Sequence, residues 1–417
     1  MHILITTQVY PPEGHATAIL VQELAEDLSR WGAEVTVAAG YPHHPYGRLY
    51  PGFRKQWLKV EAENGLRVLR GWHLIHPSPF LAMRSLVMAS QCAAFFLSAA
   101  NCPRPDVIIS CGPPILGPLT SALIARASGS RLVTIIYDIY PDIAVESGQL
   151  RNPTVIALAR KLERFIYRHS ERIVVLADGF RRTLIADRGV DPQKVAVIPV
   201  WLDVRDIFPL SRENAWRREM GINPDKFVVL YAGTIGLVSG AEVVVEAASR
   251  LKSYQDILIL LVGAGYAKDR VEARARGLGL KNIRFLPFQP RKRLSEVQAI
   301  ADVSLVTLAP GRGKTSLPSK VLGYMAEARP VIAAVEDDCD TAELIRKAHS
   351  GLVVPPAQPE ILADAILNFS QDSEARKVAG ENGLKYFERY FERRHVTAKY
   401  IDLIKGLSAG SIELKNR

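Results

Sequence analysis

Cysteine is scarce: Cys92, Cys102, Cys111 and Cys339 are the only four in 417 residues, and none stands at the paired spacing of a zinc or iron–sulfur site. They sit in or beside apolar segments and are expected as buried free thiols, which fits a reducing cytoplasm better than a disulfide framework. No apolar run is long enough to span a bilayer. The longest, residues 86–100, is interrupted by Gln91 and is expected as a buried helix, with contact to a membrane interface as the lesser alternative. Residues 1–8 lack the charged region and apolar core of an export signal and read as a first strand. Low-complexity tracts and short repeats are missing too, so a solenoid is excluded and only the last few residues read as disordered. Acidic residues are fewer than basic ones, 43 against 53, and the net charge of +10 favours acidic partners such as phosphorylated small molecules or anionic lipid. The basic residues are scattered, so no nucleic-acid partner is expected. The exception is a cluster of Arg48, Arg54, Lys55 and Lys59 among Tyr46, Tyr50, Phe53 and Trp57, which fits a membrane interface as well as a nucleic acid, although an ordinary solvated loop is more common than either.

The chain exceeds what one hydrophobic core normally serves, so two domains are expected, residues 1–203 and 204–417, with the last helix packing back on the first. A strand at 2–7, a Pro/Gly loop, a helix at 17–30 and a strand at 34–39 make a βαβ unit. β-Branched runs follow at 66–69, 106–110, 132–137, 172–176 and 195–199, mostly separated by helical stretches. After a linker at 201–209 and a short helix at 212–220, the pattern restarts with strands at 227–232, 257–262, 283–285, 303–308, 330–335 and 352–354. This alternation predicts an α/β architecture of two doubly wound, Rossmann-like domains, with ligands outside the carboxyl ends of the strands.

The polar and glycine-rich sequences lie at those ends. Residues 311–326 run from a glycine-rich loop into a short amphipathic helix, where Ser316 can cap the first turn, Pro318 suits its start, and Ser319 and Lys320 lie beside the exposed N–H groups. A positive helix end with an ammonium beside it suits a diphosphate. Gly313-Lys314-Thr315 imitates the end of an NTPase phosphate loop, but Leu308 stands where that loop needs a glycine, and a proline follows too soon. Gly233, Thr234 and Gly236 follow a strand and allow close approach of a phosphate, although the dinucleotide spacing is missing. Gly263 and Gly265 are as readily tight-turn glycines. In the first half, Gly14 and His15 follow the first strand, and Asp138 and Asp142 flank Pro141. Each carboxylate could bind sugar hydroxyls or take a proton, or simply cap a helix, with Asp138 the better placed.

Taken together, the Pro-Pro-x-Gly loop at 11–14, Asp138-Ile-Tyr-Pro-Asp142, the segment from Ile198 through Asp203 to Phe208, Tyr231-Ala-Gly-Thr-Ile-Gly236 and the Pro318-Ser-Lys320 helix resemble the retaining glycosyltransferases of family four. The Asp138 segment is similar to that of members building bacterial surface polysaccharides of the colanic-acid type. The resemblance implies the two-domain GT-B fold with an active cleft between the domains. It also implies a UDP-linked nucleotide sugar as co-substrate on the second domain, a lipid-linked saccharide acceptor on the first, and no metal or other cofactor. Lys320 and Asp138 become the candidate catalytic residues, with Gly14, His15, Asp142, Thr315 and Ser316 facing substrate. Many members carry two glutamates eight apart, where this chain has Thr315 and Gly323, and Glu343 is the expected substitute as ribose ligand. A nucleotide-sugar epimerase of the same architecture and a degenerate transferase acting as a structural subunit are the alternatives.

Overall fold

Runs of Val, Ile and Leu that read as strands become two sheets in the computed structural model, which describes residues 1–43, 47–77, 81–112, 115–146, 148, 150–236, 238–313 and 318–415. Met1–Pro199 with Thr397–Arg417 form one unit and Val200–Val396 the other. The first contains β1 (His2–Thr7), α1 (Ala16–Arg30), β2 (Glu34–Gly40), β3 (Leu58–Glu63), β4 (Leu66–Gly71), α2 (Leu81–Ala100), β5 (Val107–Gly112), α3 (Leu116–Ser128), β6 (Arg131–Ile136), α4 (Asp142–Glu146), α5 (Pro153–His169), β7 (Arg172–Val175), α6 (Asp178–Ala186) and β8 (Val195–Val197). The second contains α7 (Ala215–Glu219), β9 (Phe227–Ala232), α8 (Glu242–Arg250), β10 (Ile257–Val262), α9 (Lys268–Gly277), β11 (Ile283–Leu286), α10 (Leu294–Ala299), β12 (Val303–Thr307), α11 (Lys320–Ala326), β13 (Val331–Ala334), α12 (Asp340–Ala348), β14 (Gly351–Val354), α13 (Pro359–Gln371) and α14 (Ser373–Tyr390). A final helix, α15 (Arg393–Lys415), starts in the second unit and continues in the first.

Among the described residues the first sheet has the order β3-β4-β2-β1-β5-β6-β7-β8 and the second β11-β10-β9-β12-β13-β14. All pairs are parallel except β3 with β4. Helices cover both faces of such sheets, so β1, β5, β9, β10 and β12 are buried along their whole length and need apolar residues at successive positions. In each sheet the chain reverses its direction of winding once, between β1 and β5 and between β9 and β12. Those switch points open crevices at the carboxyl ends.

Four sequence expectations need correction. The strand β3 was not anticipated: it pairs antiparallel with β4 through Asn64-Gly65, both at positive φ, the arrangement a two-residue hairpin favours. Residues 201–209 are no free linker, because Trp201 and Asp203 are buried, Leu202 bridges to Glu392, and Asp203 pairs with Arg393 at 3.1 Å. Hydrogen bonds from Arg205 hold the Asp203 carboxyl down at about 2. The helix α2 is buried on one side only, with Gln91, Phe95 and Ser98 inward and Leu86 and Phe96 outward, 54% and 44% exposed. Finally, α11 starts at Lys320, later than a cap at Ser316 would place it, and ends at Ala326.

Tight backbone contacts set the stability of the second unit. A Cβ on Gly380 of α14 would lie 2.2 Å from the Ala328 carbonyl oxygen behind α11, whereas one on Gly277 of α9 meets nothing within 4 Å. Gly380→Ala should therefore lower stability by about 1–3 kcal/mol in urea unfolding, while Gly277→Ala should leave it unchanged or raise it by roughly 0.5–1 kcal/mol. Equal midpoints for the two variants would contradict this packing.

Candidate active site

The carboxyl ends of β10, β9, β12 and β13 stand side by side in the second unit, and the loops leaving them interlock. Gly233 takes φ +142° and donates its N–H to the Val262 carbonyl at 2.9 Å. A Cβ on Gly263 would fall 1.9 Å from the Gly233 oxygen, so this glycine is required by loop-on-loop packing, with or without a ligand. Thr234 is exposed and its carbonyl accepts the Tyr231 hydroxyl at 2.7 Å. Space beside Gly236 is open, with only the Thr234 methyl at 3.6 Å.

Lys320 reaches into this junction from the first turn of α11. Its Nζ lies 3.5 Å from the centre of the Tyr231 ring, and a Cβ on Gly233 would come within 3.0 Å of it. Among the described residues no carboxylate pairs with the ammonium, and burial pushes its pKa down to about 7. The helix is held in place four residues on, where the buried Tyr324 hydroxyl accepts from the Ala232 N–H at 2.9 Å and donates to the Ala232 oxygen at 3.3 Å. A cation is thus set at the end of β9 over an aromatic face, with no carboxylate beside it among the described residues.

The loop before α11 is tied from the next strand. Glu336, just beyond β13, accepts the N–H of Gly313 at 3.1 Å and that of Gly311. Sequence reasoning missed it, because no local pattern links position 336 to 311. Ser319 precedes the helix exposed and makes no capping bond, while Lys314, Thr315 and Ser316 lie outside the described residues. Glu343 is directed to Lys347 on its own helix at 2.6 Å. Gly323, where many relatives of the resembled family carry a glutamate, is buried with Gln298 against it, a Cβ there meeting the amide oxygen at 2.6 Å. No larger side chain fits without moving Gln298.

The candidates of the first unit also separate into roles. Gly14 is exposed with open space around it, but His15 caps α1, its Nδ1 accepting the Thr17 N–H at 3.2 Å. The loop is shaped by residues that sequence reasoning passed over: buried Glu13 accepts from Tyr10 and His43 N–H, and Arg70 donates to the Pro11 carbonyl and pairs with Glu61. Asp142, at the start of α4, pairs with Arg188 and, at 3.6 Å, with Arg160. Arg188 also pairs with Glu163, which accepts the Tyr167 hydroxyl at 2.8 Å. Asp138 has no such partner among the described residues, and burial raises its pKa. Of the two carboxylates it is the one available to a ligand. Among the described residues no three His, Cys, Asp or Glu side chains gather as a metal site, and no helix is long and apolar enough to cross a membrane.

Comparison with known proteins gives a consistent result for both units. Residues 16–201 match the glycosyl transferase 4-like domain and residues 212–386 the glycosyl transferases group 1 family. The colanic acid biosynthesis glycosyl transferase WcaI of Escherichia coli K12 is 26% identical over 414 residues, spanning 97% of this chain and 100% of its own. Sucrose-phosphate synthase from Thermosynechococcus elongatus superposes with a TM-score of 0.75 at 18% identity, covering 98% of this chain and 99% of its own. Anabaena HepE in complex with UDP-glucose gives 0.72 at 17% identity, over 97% and 100%. These structural likenesses establish the GT-B fold.

An amine whose desolvation pulls its pKa down to about 7 has a measurable signature. In the free protein, the methylated Lys320 amine followed by carbon NMR should titrate near 7, and inorganic pyrophosphate should move its midpoint upward. Because the ammonium is lost as pH rises through that value, pyrophosphate affinity should weaken above it by up to about tenfold per unit. A midpoint near 10, or pH-independent affinity, would show that the amine is solvated.

Proposed function

We infer that this chain, which belongs to the glycosyltransferases through a 4-like domain in its first unit and a group 1 domain in its second, moves a hexose or N-acetylhexosamine from a UDP-linked sugar to a lipid-linked saccharide. Its product would be a bacterial surface polysaccharide, and its place the cytoplasmic face of the membrane. The observation that carries this reading is the half-buried Lys320 ammonium, set beside the interlocked Gly233 and Gly263 loops with no carboxylate partner among the described residues. The name of WcaI supports the polysaccharide, and the UDP-glucose bound to HepE supports the donor.

In this reading the donor diphosphate lies on Lys320 and on the backbone from Gly233 to Gly236. The bond between the anomeric carbon and the phosphate oxygen breaks, and the acceptor oxygen bonds that carbon on the same face, so configuration is retained. The acceptor proton passes to the departing phosphate oxygen. Negative charge grows on the diphosphate as the bond breaks, and a preorganised cation stabilises that state more than the bound substrate. Asp138 accepts a hydrogen bond from the acceptor hydroxyl and orients it. The chain itself supplies binding, orientation and charge, with no metal step required.

One observation favours the second reading, a catalytically degenerate subunit: the familial glutamate position at Gly323 is filled by Gln298, and Glu343 is engaged with Lys347. A panel of labelled nucleotide sugars with a lipid extract separates the two. Transfer to lipid supports the first reading, whereas donor binding without transfer supports the second. With the donor that transfers, Lys320→Ala should lose on the order of 100- to 1,000-fold in kcat with little change in KM, and Lys320→Arg should recover only part of it. Near-normal turnover by Lys320→Ala would remove the electrostatic role.

A further inference from the structure

We propose that the outer face of α2, α3 and α5 in the first unit is a docking surface for a bilayer of acidic phospholipid, an inference that rests on, and deepens, the reading of a lipid-linked acceptor. α3 packs between α2 and α5, so the three form one layer on the sheet. That layer is nearly devoid of acid. α2 and α3 contain no Asp or Glu, and the single one in α5, Glu163, is buried and bonded to Tyr167 and Arg188.

Basic and aliphatic side chains occupy the outside. Arg126, Lys161, Arg164 and Arg168 are exposed, and among the described residues none has a carboxylate partner. Four arginines on the surface of the second unit are answered instead: Arg270 by Glu242, Arg274 by Glu246, Arg276 by Glu272 and Arg293 by Glu219. Lys161, Arg164 and Arg168 follow each other at helical spacings of three and four, so they repel one another in the free protein. An outside partner of opposite charge relieves that repulsion. Leu123, Val155 and Leu158 stand among them, 40%, 45% and 55% exposed, and Leu86 and Phe96 extend the apolar surface along α2. Interleaved cations and aliphatic groups suit acidic head groups above acyl chains, while a nucleic acid would call for aromatic stacking platforms.

Two further features fit. Between α3 and α5 runs a groove of about 1170 Å³ lined by Leu119, Leu123 and Phe165 and by Arg126, Arg164 and Lys194, with Asp191 its one carboxylate, and it includes none of the residues assigned to donor or acceptor. The helices link parallel strands and so begin at the carboxyl edge of the sheet, the edge that holds Asp138. Val155, Leu158 and Leu86 lie within the first two turns of their helices and carry the apolar part of the face toward that edge. The cluster around residues 48–59 is a weaker candidate, since Lys59 pairs with Glu61 at 2.7 Å and lies over Phe53, and Tyr46 is outside the described residues.

The test is sedimentation of the full chain with vesicles of phosphatidylglycerol and phosphatidylcholine in equal parts, against vesicles of phosphatidylcholine alone. Binding to the acidic vesicles should be strong at low salt and fall as salt rises. Each basic residue near such a surface is worth about fivefold, so Lys161→Glu/Arg164→Glu/Arg168→Glu should weaken binding by roughly 100-fold or more. Leu158→Ser should remove part of the binding that survives high salt, and Arg54→Glu/Lys55→Glu should change binding by less than about fivefold. An unchanged circular dichroism spectrum and thermal midpoint show that a variant is folded. If the triple reversal does not fold, Lys161→Gln and Arg164→Gln must each lower binding several-fold. Equal binding to neutral vesicles, no binding at low salt, an unaffected triple variant, or loss confined to Arg54→Glu/Lys55→Glu would each overturn the proposal. Vesicle binding is read without sugar transfer, so its failure leaves the transferase reading standing, and missing transfer leaves the face standing.

Discussion

An amine drawn into protein, with no carboxylate among the described residues to answer it, is energetically costly, and in the second unit that cost falls on Lys320. Tyr324 fixes α11 to the end of β9, Gly233 leaves the space that the lysine stem fills, and Gly263 leaves the space that the Gly233 carbonyl fills. Each contact depends on the next. A side chain larger than hydrogen at either glycine would displace the cation from the Tyr231 ring. The strain has a use if an anion arrives, since the partner missing from the protein is then brought by the ligand.

In the first unit a similar contrast separates two nearby carboxylates. Asp142 belongs to a closed network with Arg188, Glu163 and Tyr167, which fixes the start of α4. Asp138, four residues earlier, is left outside that network, and burial raises its affinity for a proton. Sequence spacing could not divide these roles, because the arginine that decides them lies forty-six positions beyond Asp142.

The fold was largely legible because a parallel sheet buried on both faces demands uninterrupted apolar runs, and β9 and β10 fall on the runs 227–232 and 257–262. β3 escaped because its apolar and charged residues alternate at a sheet edge and form no apolar run, although Asn64-Gly65 was a readable hairpin signal. Lys320 was legible as a candidate anion ligand from its loop-to-helix setting. The lack of a countercharge was not, since it depends on what the other strands bring near. Glu336 and Gln298 were hidden for the same reason, and the capping bond of His15 was not legible because a capping histidine and a binding one look alike in one dimension.

The path of the final helix bears on how the molecule is made. Tyr400, Ile404 and Leu407 are buried and belong to the first unit, Tyr400 near Cys111 and Tyr137. The second unit is one unbroken stretch, Val200–Val396. During synthesis, therefore, the half that leaves the ribosome first is the half that is finished last. Its sheet must wait, with a gap in its core where Tyr400 will sit, until the whole of the other half has been translated.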